Sequence, residues 1–428
     1  MGLNNTPKAN RLHIGIFGRR NAGKSSLINA LTGQNLAIVS DTPGTTADPV
    51  YKSMELHPIG PVVFIDTAGF DDEGELGELR VAKTASVISR TDLAIVVIDG
   101  TDPISNEGDS SKDGTDSTFD CERTWIDRLR EANVPTIIAI NKWDILNEED
   151  RLKAINAATD FDDIVAIPVS AETGSGIDAL RKAIQDALPE EYMQEKILGD
   201  MLEDGSLVLL VMPQDIQAPK GRLLLPQVQT IRELLDRKCQ VMSTTADGLA
   251  DALASLSRAP DLIITDSQCF ADVYAQKPEA SALTSFSILM AASKGDINVF
   301  VKGASAIDKA LAGIETAGAA KLAEPFNVLI AEACTHVPLN EDIGTVKIPR
   351  LLHETFGDNV TITSVRGNDF PAADELTQYD LIIHCGACMF NRRHVMSRVE
   401  AAKKAGVPIT NYGIFLAKMA GILDKVSL

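Results

Sequence analysis

The chain has 428 residues, more than one hydrophobic core holds, so two or three domains are expected. With 60 Asp and Glu against 40 Lys and Arg, its net charge of −20 argues against a nucleic-acid partner, because phosphate neutralisation needs clustered cations. Six cysteines without a secretory leader point to a reducing cytoplasm, and no run approaches the roughly 18 apolar residues of a membrane span.

Met1-Gly2-Leu3-Asn4-Asn5-Thr6 fits the N-myristoylation pattern. No basic patch follows to supply a second anchoring signal, so the match is read as coincidence. The first apolar run, 13–17, leads into Gly18-Arg19-Arg20-Asn21-Ala22-Gly23-Lys24-Ser25-Ser26 and then a helix-like Leu27-Ile28-Asn29-Ala30-Leu31. This is G-x-x-x-x-G-K-S between a strand and a helix, the context a P-loop needs. Gly18 and Gly23 let the backbone wrap an anion, and the helix N-terminus adds partial positive charge. Lys24 is expected to reach the outer phosphates and Ser25 to hold Mg²⁺ through its hydroxyl.

Four further stretches follow in the order a guanine-nucleotide site requires. Thr45-Thr46, in Asp41-Thr42-Pro43-Gly44-Thr45-Thr46, offers the metal a hydroxyl from Thr46. Asp66-Thr67-Ala68-Gly69 ends the run 62–65, with Asp66 beside Mg²⁺ and Gly69 beside the γ-phosphate. Asn141-Lys142-Trp143-Asp144 ends the run 136–140, and the Asp144 carboxylate suits the two N–H donors of guanine, so adenine is rejected. Ser170-Ala171, after 165–169, closes over the base. Glu78 is a weaker candidate for orienting the attacking water, with an exposed helical glutamate as the alternative.

Strands and helices alternate from 13 to 188, which predicts a doubly wound, mostly parallel sheet and a GTP-binding domain over residues 1–190. The segment Gly100 to Glu122 is polar and reads as a solvated insertion, with Cys121 incidental. A second α/β unit is expected over 206–320, with strands at 207–212, 262–265 and 298–301 and helices at 225–238, 249–257 and 282–293. It carries no catalytic constellation, Cys239 and Cys269 read as buried apolar residues, and dimerisation is its expected role.

A third α/β unit is expected over 325–428. The strand 327–331 runs into Cys334-Thr335-His336, and the strand 379–383 into His384-Cys385-Gly386-Ala387-Cys388. In a parallel sheet both groups emerge at one edge. C-x-H followed by H-C-x-x-C suits either a tetrahedral zinc or an iron–sulfur cluster. Three thiolates with a weaker fourth ligand leave one iron replaceable, which fits a site that must exchange something. His336, His384 and Glu341 are the candidates for that fourth place. Arg392-Arg393-His394, just beyond, reads either as a lure for anionic cargo or as the solvated first turn of a helix.

The combination of these GTPase motifs with the cysteine pattern resembles the HydF family, the GTPases that mature [FeFe]-hydrogenase, over essentially the whole chain. The resemblance implies three α/β domains: a P-loop GTPase, a dimerisation domain and a cluster-binding domain with a [4Fe–4S] cluster on Cys334, Cys385 and Cys388. It implies a scaffold or carrier that receives a two-iron precursor made by the radical-SAM proteins HydE and HydG and delivers it to apo-hydrogenase HydA. It also implies kinship with TrmE–Era-type GTPases, in which the P-loop asparagine, here Asn21, coordinates K⁺ at the phosphates. The side chains of Arg19 and Arg20 are expected to face solvent. The rival readings are an RNA- or ribosome-directed GTPase with a zinc module, which the acidic balance opposes, and an electron-transfer protein, for which a second cofactor motif is missing.

Overall fold

The computed structural model describes residues 8–33, 49–56, 59–67, 69, 84–102, 120–158, 161, 164–188, 196–212, 223–316, 325–333, 342–367 and 369–428. They form two compact units, 1–194 and 195–428. No helix among the described residues is long and apolar enough to cross a membrane.

The first unit is built on a six-stranded sheet in the order β2-β3-β1-β4-β5-β6. These strands are β1 (Leu12–Phe17), β2 (Val50–Leu56), β3 (Gly60–Asp66), β4 (Leu93–Asp99), β5 (Thr136–Asn141) and β6 (Val165–Pro168). All neighbours pair in parallel except the edge strand β2, which runs antiparallel to β3. The central strands read as unbroken apolar runs because both faces are covered. Along β4, Leu93, Ile95 and Val97 join one core with residues of α1 (Lys24–Thr32) and α4 (Ile177–Asp186). Ala94, Val96 and Ile98 join the opposite core with residues of α2 (Asp120–Glu131) and α3 (Glu148–Ala158). The C-terminal ends of β1, β3, β5 and β6 therefore carry the motif loops at one edge, as the alternating pattern predicts.

The second unit holds two four-stranded parallel sheets. One has the order β10-β9-β7-β8, from β7 (Leu207–Val211), β8 (Gln240–Thr244), β9 (Leu262–Thr265) and β10 (Ala282–Ser285). The helices expected from 225 and 249 are α5 (Leu225–Asp236) and α6 (Leu249–Ser255), and α7 (Phe270–Gln276) lies between β9 and β10. The other sheet has the order β12-β11-β13-β14, from β11 (Phe326–Glu332), β12 (Val360–Arg366), β13 (Leu381–His384) and β14 (Ile409–Asn411). A single core runs through both: Leu209, Ile263 and Leu283 of the first sheet cluster with Leu329, Ile382 and Ile409 of the second, around Ile288, Phe300 and Ala304. The middle and C-terminal segments thus pack as one body.

Three expectations change here. The helix expected from 282 begins only at Phe286, as α8 (Phe286–Lys294), because Ser285 caps it by accepting the Ile288 N–H at 3.2 Å. The residues before it form β10. The stretch 298–301, expected as a strand for its valines, lies inside the 20-residue helix α9 (Ile297–Thr316). Asp296 starts that helix by accepting the Val299 N–H at 3.2 Å, and Gly303 lets its backbone meet β14, where a Cβ would fall 1.9 Å from the Ile409 carbonyl oxygen. The polar segment expected to run to Glu122 ends earlier, since Asp120 opens α2 and Cys121 packs against its core; residues 103–119 lie outside those described. Around β12 sit α10 (Ile348–Phe356), before it, and the short α11 (Ala373–Leu376), after it.

Candidate functional site

The turn between β1 and α1 is shaped by two left-handed residues, Asn21 (φ 62°) and Gly23 (φ 90°), while Gly18 takes φ 149°. A Cβ at Gly18 would fall 2.4 Å from the Val97 carbonyl oxygen, and one at Gly23 2.1 Å from the Asn141 amide nitrogen. Both glycines are therefore fixed by space as well as by conformation. Lys24, 8 % exposed, folds back over the loop and donates to the carbonyls of Gly18 (2.8 Å) and Arg19 (2.7 Å). Ser25 Oγ donates to Asp66 Oδ2 at 2.6 Å, which joins a hydroxyl and a carboxylate into the oxygen donor pair a hard divalent cation takes. Thr67 spends its hydroxyl on the Ile16 carbonyl at 2.7 Å, and Gly69 lies in the loop beyond. Ser26 sits in the first turn of α1 and Ala22 is buried. Asn21 is exposed at the tip of the turn.

Asn141 ends β5 and is 3 % exposed. Its amide donates to the Ala22 carbonyl at 2.9 Å and its Oδ1 accepts the Ala171 N–H at 3.0 Å. Lys142 takes φ 61° and pairs with Asp99. That bend leaves the Asp144 carboxylate exposed on the short helix Trp143–Ile145. Ser170 is buried, and its Oγ accepts the Thr173 N–H at 3.0 Å, shaping the loop that carries Ala171. The glycine-rich turn, the Ser25–Asp66 pair and the loops carrying Asn141, Asp144 and Ala171 are thus brought to one sheet edge. Thr45, Thr46, Ala68 and Glu78 lie outside the described residues.

Arg19 departs from expectation, whereas Arg20 is exposed as expected. The Arg19 guanidinium forms a two-pronged ion pair with Glu122, Nε to Oε1 at 2.8 Å and Nη2 to Oε2 at 2.9 Å. The Glu122 side chain is 1 % exposed, and its burial pushes the carboxyl above the usual range while Arg19 pulls it back. The P-loop arginine is held by a helix whose residues carry no sign of it, because Glu122 lies 103 residues away at the end of a polar stretch.

In the second unit β11 and β13 are parallel neighbours, with Ala331 opposite His384. The Cys385 N–H donates to the Ala331 carbonyl at 2.9 Å, and the Cys385 sulfur accepts the N–H groups of Ala333 (3.1 Å) and Ala387 (3.4 Å). Two backbone donors aimed at sulfur favour a thiolate, while burial pushes the thiol up to about 11. Between the cysteines Ala387 takes φ 50°, a conformation that costs an L-residue about 1–2 kcal/mol. Cys385 and Cys388 line a cavity of about 190 Å³, walled by Phe286, Met290, Tyr412 and Leu416. Paired thiols at an apolar cavity are soft donors of the kind an iron–sulfur cluster or zinc uses. Cys334, His336 and Glu341 lie outside the described residues, and the described ones contain no group of three metal-ligating side chains.

His384 is committed elsewhere. Its Nδ1–H donates to the Cys385 carbonyl at 2.8 Å, and its Nε2 accepts from the Arg398 guanidinium at 3.1 Å. Burial first, then the Arg398 charge, lowers its pKa to about 3. Neither ring nitrogen is open to a metal in this arrangement. Arg398 itself is sandwiched by Phe370 and Phe390, 4.8 and 4.6 Å from their ring centroids. Further along, Arg392 donates to the carbonyls of Ser293 (2.9 Å) and Gly295 (3.3 Å), and His394 stacks on Phe390 at 3.9 Å. The run Arg392-Arg393-His394 begins α12 (Arg392–Ala405).

Comparison with known proteins follows the same division. Residues 13–142 match the family described as 50S ribosome-binding GTPase. GTPase Era of Clostridioides difficile is 33 % identical over 198 residues, covering 44 % of this chain and 61 % of that protein. GTPase Der of Sulfurimonas denitrificans is 31 % identical over 193 residues, 44 % of this chain and 36 % of that protein. The tRNA modification GTPase MnmE of Xylella fastidiosa is 35 % identical over 185 residues, 43 % of this chain and 35 % of that protein. The chain thus spans about a third to three fifths of the length of these relatives. Residues 197–295 match the Hydrogen maturase F dimerization domain, and residues 308–427 match the Hydrogen maturase F tetramerization domain. With two domains particular to hydrogen maturase F, together just over half its length, behind a P-loop GTPase domain, the chain belongs to the HydF family.

Proposed function

We propose that this protein is a GTP-hydrolysing scaffold of [FeFe]-hydrogenase maturation, which holds a [4Fe–4S] cluster on Cys334, Cys385 and Cys388. It receives a two-iron precursor derived from HydE and HydG and delivers it to apo-hydrogenase HydA in the cytoplasm. The observation that carries this reading is the pairing of β11 with β13, which sets the backbone just before Cys334 against Cys385 through the Ala333 N–H to sulfur bond at 3.1 Å. With His384 committed to Arg398 and the Cys385 carbonyl, His336 or Glu341 is left as the fourth, replaceable ligand. The cluster would supply one exchangeable iron; the chain supplies soft ligands, an apolar cavity and backbone donors to sulfur.

Residues 1–190 form the GTP-binding domain, with Mg²⁺ on Ser25, Thr46 and Asp66. The nucleotide is cradled by Gly18 to Ser26, Thr45, Thr67, Ala68, Gly69 and Lys142 as well. Asp144 reads guanine beside Asn141, Ser170 and Ala171, and Asn21 recruits K⁺. Residues 206–320 dimerise and 325–428 bind the cluster, and the match to a tetramerization domain adds a higher assembly as an outcome to test. Neither nucleic acid nor membrane is a partner, in keeping with the charge of −20. The test is co-expression with HydE and HydG, anaerobic purification and incubation with apo-HydA. Hydrogenase activity from the native protein supports the reading; a colourless, iron-free protein that activates nothing overturns it. Lys24→Ala should abolish GTP hydrolysis and leave iron content intact.

A further inference from the structure

Lys294, the last residue of α8, is 4 % exposed yet carries a charged side chain that the nucleotide chemistry does not use. Its Nζ donates to the carbonyls of Ala387 (3.2 Å), Cys388 (3.4 Å) and Phe390 (2.7 Å). Three carbonyl acceptors match the three donors of an ammonium, which is how a buried charge is kept in a protein interior. The contact is reciprocal, because Arg392, just past the same loop, donates to the carbonyls of Ser293 and Gly295 on either side of Lys294. The loop so clasped holds Ala387 at φ 50° between the two cysteines, a conformation that needs an outside partner to persist.

We propose that Lys294 is a positioning residue for the metal centre. It holds the Cys385-Gly386-Ala387-Cys388 loop in its ligating conformation and sets a fixed positive charge beside the thiolates. The inference rests on the cluster reading above only in its second half. Bound at the Cys388 carbonyl, the charge sits within a residue's length of that sulfur, in surroundings of low dielectric. A fixed cation there favours the more negative, reduced state of any cluster on the cysteines and so raises its reduction potential. The sequence offers no hint of this, since Lys294 lies more than 90 residues from the loop and looks like an ordinary helix-ending lysine.

The test compares the native protein with Lys294→Met and Lys294→Arg. In metal-free protein, amide hydrogen exchange of residues 385–390 should be about tenfold faster or more in Lys294→Met, with β14 and α13 (Tyr412–Met419) unchanged, since one charged hydrogen bond is worth about that factor. After anaerobic reconstitution that variant should hold less iron per chain, and its cluster should have a lower midpoint potential by redox titration. Lys294→Arg should restore the potential. Native exchange rates and native potential in Lys294→Met overturn the proposal. Should Lys294→Met lose protection throughout residues 195–428, Lys294→Gln decides: a lowered potential supports the proposal and a native one overturns it. A native protein that binds no iron would refute the cluster reading, while the metal-free exchange comparison still decides whether Lys294 holds the loop.

Discussion

Asn141 and Ala22 tie the base loop to the phosphate loop: the Asn141 side-chain amide donates to the Ala22 carbonyl at 2.9 Å while its oxygen accepts from Ala171. One residue thus braces two loops that, on the proposed reading, close on the same nucleotide. Asn141→Ala removes both bonds and opens a gap against Gly23. At about 0.5–1.5 kcal/mol for each of the two bonds, GTP affinity should fall roughly fivefold to 150-fold. Titration calorimetry with GTP and Mg²⁺ checks this, and native affinity in the variant would show that the brace is idle.

Asn21 can be tested for K⁺ binding without disturbing the turn. At φ 62° an alanine would be strained, so its loss of activity could come from the backbone alone; glycine keeps the conformation and removes only the amide. Native protein should hydrolyse GTP several-fold faster in K⁺ than in Na⁺ at equal ionic strength. Asn21→Gly should hydrolyse at the Na⁺ rate in both salts. Equal rates of the native protein in the two salts would make Asn21 a turn residue and nothing more.

The sequence makes legible whatever is local in the chain. Strand, glycine turn and helix at residues 12–32 follow from a few adjacent residues, and the parallel placing of β11 beside β13 follows from two apolar runs that end in cysteines. What escapes it depends on partners far apart. Arg19 reads as solvated until α2 brings Glu122 to it, and nothing near His384, one of three candidate fourth ligands, announces that its Nε2 accepts from Arg398 of α12. The stretch 298–301 reads as a strand because valine favours one, whereas the Asp296 cap and the fit of Gly303 on β14 settle it as helix. The shared core of the second unit could not be read from composition, since both sheets are equally apolar.

His384 makes the second unit sensitive to acid. Its pKa is lowered from 6.5 to about 3, mainly by burial, so the folded state prefers the neutral ring. The stability this contributes is fully present above the unfolded value near 6.5 and is lost as pH falls through the folded value. A tenfold difference in proton affinity between the folded and unfolded chain is worth about 1.4 kcal/mol, so the loss between pH 6.5 and 3 reaches several kcal/mol. Urea unfolding of metal-free protein as a function of pH should show this slope, and His384→Asn should flatten it. Equal slopes in the two proteins would place the acid sensitivity in other groups.

The cysteines should divide sharply into two classes. Thiolate is the softest ligand available to iron, so serine at Cys334, Cys385 or Cys388 should strip or badly destabilise the cluster. Cys385 should be the most sensitive, because its sulfur also accepts the Ala333 and Ala387 N–H bonds that register the loop against β11. Cys239 and Cys269 are buried among apolar side chains and Cys121, in the first turn of α2, packs against the core of the first unit, so serine there costs packing and leaves iron in place. His336 and Glu341 should give the milder loss of an exchangeable ligand, and His384 variants should perturb the loop through the Cys385 carbonyl. GTP hydrolysis should continue in all of them, since the nucleotide site lies in the first unit. Anaerobic iron counting and electron paramagnetic resonance across the six cysteine variants check the division. A full cluster signal in any of the three ligand variants would overturn the assignment.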